Sequence, residues 1–313
     1  MQKGETCLPL PSGASTQVCA VIVTYDPDLT KLERLVRSVV PQVQSVIVVD
    51  NGSSASTVSW LRSNAAVLHF KTILLEGNYG VAYAHNTGIR ACRQAGADYV
   101  ILFDHDSLPD QSMVARLLTT AQSKQAMGLK VAAVGPNYRD RRQNNPPPFI
   151  KRVNLRIQKQ PCTHEEAVVE VDYLISSGCL IPMQTLDVVG GMREELFIDY
   201  VDIEWGLRAK HMGYASYGDC KALMWHDLGE HPIRFLGKQY PNHSALRHYY
   251  HFRNAIWMYR QPWIPIGWKL ADAWRLLLKY GFYSFFAKPR LKHWRMMTKG
   301  IRHGLLGYTG RLG

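Results

Sequence analysis

The residues with most to offer chemically are Asp104-His105-Asp106, which follow directly on the apolar run Tyr99-Val100-Ile101-Leu102-Phe103. Two carboxylates at i and i+2, carried out of a buried strand into a crevice, offer hard oxygen donors to Mg2+ or Mn2+. Such a cation needs only one or two protein carboxylates and bridges the oxygens of a nucleoside diphosphate. The competing reading is a solvated loop whose acids cap a helix starting near Pro109. A second acidic group, Asp199, Asp202 and Glu204, opens an amphipathic helix in the segment Phe197 to Arg208. Acids there either complement the helix dipole or supply a general base to an acceptor hydroxyl. His226, in Trp225-His226-Asp227, is either a structural histidine or the residue that completes a metal site with Asp104 and Asp106.

These residues need a frame that brings them together. Val18 to Thr24, Val46 to Val49, Val67 to Leu75, Tyr99 to Phe103 and Val131 to Val134 read as strands. Between them Leu29, Leu32, Leu35, Val36 and Val39 recur at helical spacing, Tyr79 to Gln94 is Ala-rich and helical, and Pro109-Asp110 opens another helix. Strand and helix in alternation predict an α/β fold with a mostly parallel central sheet flanked by helices. Ligands bind beyond the carboxyl ends of such strands, so Thr24-Tyr25, Asp50-Asn51 and Asp104-His105-Asp106 are expected to share one crevice. Asp50 there suits a nucleobase N–H or a ribose hydroxyl, or else belongs to a turn. In Gly77-Asn78-Tyr79-Gly80, followed by Ala82, Ala84, His85, Asn86 and Gly88, small residues line one helix face while Asn86 projects a polar group.

Asn137 to Glu170 reads as a long mobile connection, a candidate lid. A strand over Val171 to Ile181, broken at Ser176-Ser177-Gly178, a helix over Asp202 to Met212 and a short strand over Tyr214 to Tyr217 follow. The expected division is a flexible N-terminus (1–16), a catalytic domain (17–240) and a C-terminal helical appendage (241–313). Within the domain, 17–137 is the nucleotide-binding half and 138–240 the acceptor half.

The chain is 46% hydrophobic and 20% charged, a globular rather than a disordered composition. Its net charge of +12 is concentrated: residues 261–313 hold ten Lys/Arg and one acid, Asp272. Trp257, Trp263, Trp268 and Trp274 lie among Arg260, Lys269, Arg275 and Lys279. That interleaving suits an interfacial helix on anionic lipid, stacking on single-stranded nucleic acid, or a helix packed on the domain with a basic face in solvent. There is no signal peptide and no apolar run of about 18 residues, so a soluble or peripheral protein is expected. Six cysteines lack any C-x-x-C or zinc spacing and read as scattered reduced thiols of a cytosolic protein. No glycine-rich dinucleotide or P-loop fingerprint follows the first strand, which argues against an NAD enzyme. Thr24-Tyr25-Asp26-Pro27 stands where a nucleotidyltransferase would want a glycine-rich basic loop. That activity, and a non-catalytic nucleic-acid or lipid-binding module, remain the alternatives to a sugar transferase.

Val21 to Tyr25, Val48 to Ser53, Gly77 to Ile89, Phe103 to Ser107 and Phe197 to Arg208, in this order and spacing, resemble the family-2 inverting glycosyltransferases. The likeness covers residues 18–260, is strongest to the bacterial rhamnosyltransferase-like branch, and implies the GT-A fold. It implies that Thr24, Tyr25 and Asp50 contact the nucleotide, Asp50 at the base, with Asn51, Asn78, Asn86, Asp104 and His105 also on the donor. Asp104 and Asp106 would hold Mg2+ or Mn2+, and Asp202 would be the catalytic base with Asp199 and Glu204 in support. Val201 departs from the family, whose members often carry Glu before that Asp. Arg253, in a Tyr249 to Asn254 element that resembles one of this branch, neutralises phosphate or is a helix-face arginine. The resemblance further implies a dTDP-sugar donor, dTDP-L-rhamnose foremost and a UDP-sugar second. The implied acceptor is polyprenyl-diphosphate-linked or another glycan, in bacterial surface polysaccharide (O-antigen) synthesis. It places the enzyme in the cytoplasm, peripheral on the anionic inner face of the membrane, with no nucleic-acid partner.

Overall fold

A computed structural model describes residues 16–139, 149–153, 156–164, 166–226, 230–235 and 238–313. Strand β1 (Val18–Thr24) is buried at all seven positions, because helices cover both faces of a central parallel strand. The side chain of Asp28 caps α1 (Leu29–Val39) by accepting from the N–H groups of Thr30 and Lys31, and Leu32, Leu35, Val36 and Val39 turn into the core. β2 (Ser45–Asp50), α2 (Ala55–Asn64), β3 (Lys71–Leu74), α3 (Val81–Gln94) and β4 (Tyr99–Asp104) complete the first half. Alternate residues of β1 feed two apolar layers: Cys19, Val21 and Val23 face α3, while Val18, Ala20 and Ile22 join Leu32, Leu35 and Val36 of α1. α3 approaches β1 so closely that a Cβ at Gly88 would collide with the Val21 side chain.

The second half holds β5 (Ser107–Pro109), α4 (Met113–Ala126), β6 (Val131–Arg139), β7 (Phe149–Val153), β8 (Arg156–Gln160), β9 (Val168–Val171) and β10 (Leu180–Pro182). After these come α5 (Met183–Val189), α6 (Val201–His211) and β11 (Ala215–His226). The main sheet runs β3-β2-β1-β4-β10-β6-β11-β5, with β9 added beside β11. β1 to β4 pair in parallel, whereas β10 lies antiparallel between β4 and β6.

Three expectations change here. The connection after Asn137 carries the β7–β8 hairpin and β9, so it is built rather than a bare lid; residues 140–148, 154–155 and 165 lie outside the described residues. Val171 to Ile181 is not one broken strand but the end of β9 and the start of β10, which pair with different neighbours. The short strand expected at Tyr214 extends through β11 to His226, held by β6, β9 and β5. Propensity alone could not see those partners.

β12 (Glu230–Phe235) and β13 (Lys238–Asn242) form a hairpin, followed by α7 (Ala245–Tyr259), α8 (Ile266–Phe286) and α9 (Arg290–Leu306). Phe252, Ala255 and Met258 of α7 share one apolar cluster with Val21 and Leu102, so these helices continue the core. Among the described residues no helix is long and apolar enough to cross a membrane. The cysteine expectation is corrected: Cys19 is paired with Cys92 and Cys162 with Cys220, while Cys179 is free and buried. The partners lie 73 and 58 residues apart, so only the packing of α3 on β1 and of β11 near Cys162 reveals them.

Candidate active site

Parallel strands that end level create the crevice. Thr24 pairs with Asp50 across β1 and β2, and Val23 pairs with Asp104 across β1 and β4. Asp50 is fully buried: it accepts from the Thr24 hydroxyl at 2.9 Å, from the Ser53 N–H at 2.9 Å and from the Ser53 hydroxyl. Ser53 in turn accepts from the Asp26 N–H at 2.8 Å, so this carboxylate braces both strand-end turns. Asn51 accepts from the Tyr79 N–H at 2.9 Å and donates to Asn78 at 3.2 Å, while Asn78 accepts from the Gly80 N–H at 3.0 Å. The tip of β2 is thus stitched to the entry of α3. Tyr25 stands at the mouth of the crevice with 49% of its surface exposed, an accessible face for a planar ring.

Asp104, His105 and Asp106 are half-buried at the end of β4, where the Asp104 N–H donates to Ser177 at 3.1 Å. β5 and β11 pair so that the backbone of His226 lies opposite Ser107, beside Asp106; the side chain of His226 lies outside the described residues. Among the described residues no group of three or more His, Cys, Asp and Glu is gathered for a metal. The donor set at hand is a pair of carboxylates, and that fits a hard cation taking its other oxygens from diphosphate and water.

Asp202, in the first turn of α6, backs onto an apolar pocket lined by Leu102, Leu174, Cys179 and Trp205. Burial there pushes its carboxyl up to about 6, against the Ile203 N–H that bonds it and reinforced by the charges of Asp104 and Asp199. A carboxylate so raised is suited to general-base work near neutral pH. Burial would raise Asp199 too, but Arg247 grips its carboxylate at 3.1–3.3 Å and holds it below its ordinary value. Arg247 also feels Asp104 and Asp202, so one guanidinium serves three acids. Beneath them His85 is fully buried with neither ring nitrogen hydrogen-bonded. Burial lowers its pKa to about 4 against the pull of Asp104, leaving a neutral imidazole.

Three of the residues expected at the site have their polar groups engaged within the fold. Glu204 does not face the crevice: it is fully buried and paired with Arg208 at 2.9 and 3.0 Å. Arg208 also donates to the carbonyls of Val189 and Gly191, which ties α6 to the loop after α5. Asn86 is bound to that same loop, donating to the Met192 carbonyl at 2.9 Å and accepting the Met192 N–H at 2.8 Å. Arg253 is 1% exposed and donates to the carbonyls of Glu195, Leu196 and Gly310, so it offers nothing to a phosphate. All three are polar groups that burial obliges to find partners. Sequence reasoning gave no role to Ser177 and Arg247, and it named Asn254 only as the end of the Tyr249 to Asn254 element.

Residues 19–175 match the family described as Glycosyl transferase family 2, and the chain is 31% identical over 298 residues to the dTDP-rhamnosyl transferase RfbF of Shigella flexneri. The chain belongs to glycosyl transferase family 2. The RfbF alignment covers 95% of this chain and 98% of that protein, and therefore includes the Asp202 segment beyond residue 175. Among solved structures, GalNAc-T7 with UDP, GalNAc and Mn2+ superposes with a TM-score of 0.56 at 11% identity, over 93% of this chain and 56% of that one. Staphylococcus aureus TarS 1-349 gives 0.56 at 14% identity, over 92% of this chain and 81% of that one. At such identities the likeness is one of fold. This family-2 glycosyltransferase is an α/β protein of GT-A type with C-terminal helices.

Proposed function

We propose that this glycosyltransferase moves L-rhamnose from dTDP-L-rhamnose to a glycan acceptor carried on polyprenyl diphosphate, inverting the anomeric carbon. The observation that carries the reading is Asp202, a carboxylate raised toward neutrality within the field of Asp104 at the strand-end crevice. The rhamnosyl donor rests on the likeness to RfbF along nearly the whole of both chains. Asp202 takes the proton of the acceptor hydroxyl as the new C–O bond forms. On the opposite side the bond from the anomeric carbon to the diphosphate oxygen breaks. Asp104 and Asp106 would hold Mg2+ or Mn2+, which supplies charge neutralisation to the leaving diphosphate when bound. Thr24, Tyr25 and Asp50 seat the nucleotide, and Arg247 keeps Asp199 charged beside the base.

The acceptor is reached from the inner face of the cytoplasmic membrane. In support, α8 exposes Ile266, Leu270, Trp274, Leu277, Leu278 and Phe285, a single apolar stripe at helical spacing. On α9, Arg290, Lys292, Arg295, Lys299 and Arg302 are exposed. Apolar surface flanked by cations complements an anionic bilayer surface. None of the four paired cysteines belongs to the acid cluster.

Isothermal titration with dTDP, UDP and GDP, each with Mn2+ and with EDTA, tests the donor site. Binding of dTDP that needs Mn2+ and disappears in Asp106→Ala is expected. A folded protein that binds none of the three would refute the reading. Flotation with anionic against zwitterionic vesicles tests the membrane contact, with Trp274→Asp expected to leave the wild-type protein floating and the variant behind.

A further inference from the structure

The turn that delivers Asp199 and Asp202 has an unusual backbone. Phe197 (φ 65°, ψ −63°), Asp199 (φ 64°) and Tyr200 (φ 64°, ψ 0°) all adopt positive φ, and none is glycine. L side chains occupy that region only where the surroundings enforce it.

One face of α7 does the enforcing. The Asn254 amide nitrogen donates to the carbonyls of Leu196 at 2.8 Å, Ile198 at 2.7 Å and Asp199 at 2.9 Å. Arg253 Nε donates to Asn254 Oδ1 at 2.9 Å, which fixes the amide with its N–H groups toward the turn. The Arg253 guanidinium also holds the Glu195 and Leu196 carbonyls, at 3.2 and 2.9 Å. One turn earlier the Tyr250 ring stacks on Phe197 with centroids 4.7 Å apart, and Arg247 takes the Asp199 carboxylate. From the donor side the Val81 N–H donates to the Phe197 carbonyl at 2.8 Å, and a Cβ at Gly80 would collide with that carbonyl. The chain end closes the arrangement: the Gly310 N–H donates to Glu195 at 2.7 Å, its carbonyl accepts from Arg253, and the Leu312 N–H donates to the Tyr250 hydroxyl at 2.9 Å.

We infer that Arg253 and Asn254, backed by the Gly310 segment, are positioning residues that hold the 197–200 turn and so aim the Asp202 carboxylate at the acceptor. This inference rests on the transferase reading with Asp202 as base. An amide is suited to the task because its N–H groups meet three carbonyls. A carboxylate of the same shape would set acceptor against acceptor.

The test compares Asn254→Asp, Asn254→Ala and Arg253→Lys with wild type in donor titration, steady-state kinetics and pH profile. Displacing a catalytic group by about 1 Å costs roughly 10²-fold. A fall of that order in kcat is therefore expected, with dTDP affinity and donor KM within about two-fold of wild type. The acid limb of kcat/KM should also move, because the surroundings of Asp202 change. Should the α7 variants fail to fold, Gly310→Pro replaces them. It removes the N–H to Glu195 and forbids the φ of 74° found there, without touching α7. Folded variants with wild-type kcat, or a parallel loss of dTDP affinity, kcat and melting temperature, would overturn the positioning role. A fully active Asp202→Asn would instead remove the base on which the inference stands, a failure distinguishable from the others.

Discussion

The proposed donor end and the proposed acceptor end of this site are held by different means. At the proposed donor end, side chains stand at the tips of parallel strands, and their braces stay within those tips: Asp50 to Ser53, Asn78 to Gly80, and Thr24 to Asp50 across one strand pair. At the acceptor end, Asp199 and Asp202 hang on a left-handed turn held by a helix that begins at Ala245 and by the last residues of the chain. The first arrangement is a consequence of the sheet, which exists for reasons of burial. The second stores unfavourable backbone geometry and needs remote partners to keep it. Binding should therefore tolerate damage to the C-terminal helices that catalysis does not.

The sharpest break is at the proposed base. Asp202→Asn is expected to lower kcat by about 10²–10⁴-fold while dTDP affinity stays near wild type, measured by initial rates and calorimetry. Equal loss of both would erase the distinction between the two ends. Next in size is Arg208→Met, which leaves Glu204 buried without its partner and should destabilise the fold by about 3–5 kcal/mol in urea titration. Pairing it with Glu204→Gln should restore most of that loss. At the donor end Asp50→Ala frees the Thr24 and Ser53 groups from their acceptor and should cost about 1–3 kcal/mol, with the effect read in dTDP affinity.

The smallest effect is in pH. The Asp202 carboxyl titrates at about 6, so the base is charged above that pH, and kcat/KM should fall about ten-fold per unit below it. Stability moves the other way for this residue. Between its ordinary value, about 3.9, and about 6 the folded chain binds the proton more tightly than the unfolded chain. Protonating Asp202 thus adds stability as the pH falls through that window. Asp199, held low by Arg247, has the opposite sign: its contribution is lost as the pH falls through its depressed folded value. Melting curves of wild type and Asp202→Asn from pH 4 to pH 7 separate the two, since the variant lacks only the first.

Much of the donor end was legible. β1 and α1 run from Val18 to Thr24 and from Leu29 to Val39, as the hydrophobic period indicates. Asp104-His105-Asp106 ends β4 because the apolar run stops there. The internal partners of Glu204, Asn86 and Arg253 were illegible for one shared reason. Each is a polar residue next to a plausible site motif, and sequence cannot say whether such a group faces a ligand or a carbonyl on the far side of its helix. Asn254 stood in a recognisable Tyr249 to Asn254 element, but nothing local showed that it bridges 55 to 58 residues of chain to the 196–199 carbonyls.

By itself the sequence determined the α/β alternation, the level strand ends and the acids they carry, because period and burial are properties of neighbouring residues. Tertiary structure alone decided which buried polar groups pair, how Cys19 meets Cys92, and what holds the turn that precedes Asp202. Those choices depend on desolvated partners meeting across the fold, and their cost and reward appear only once the core has closed around them.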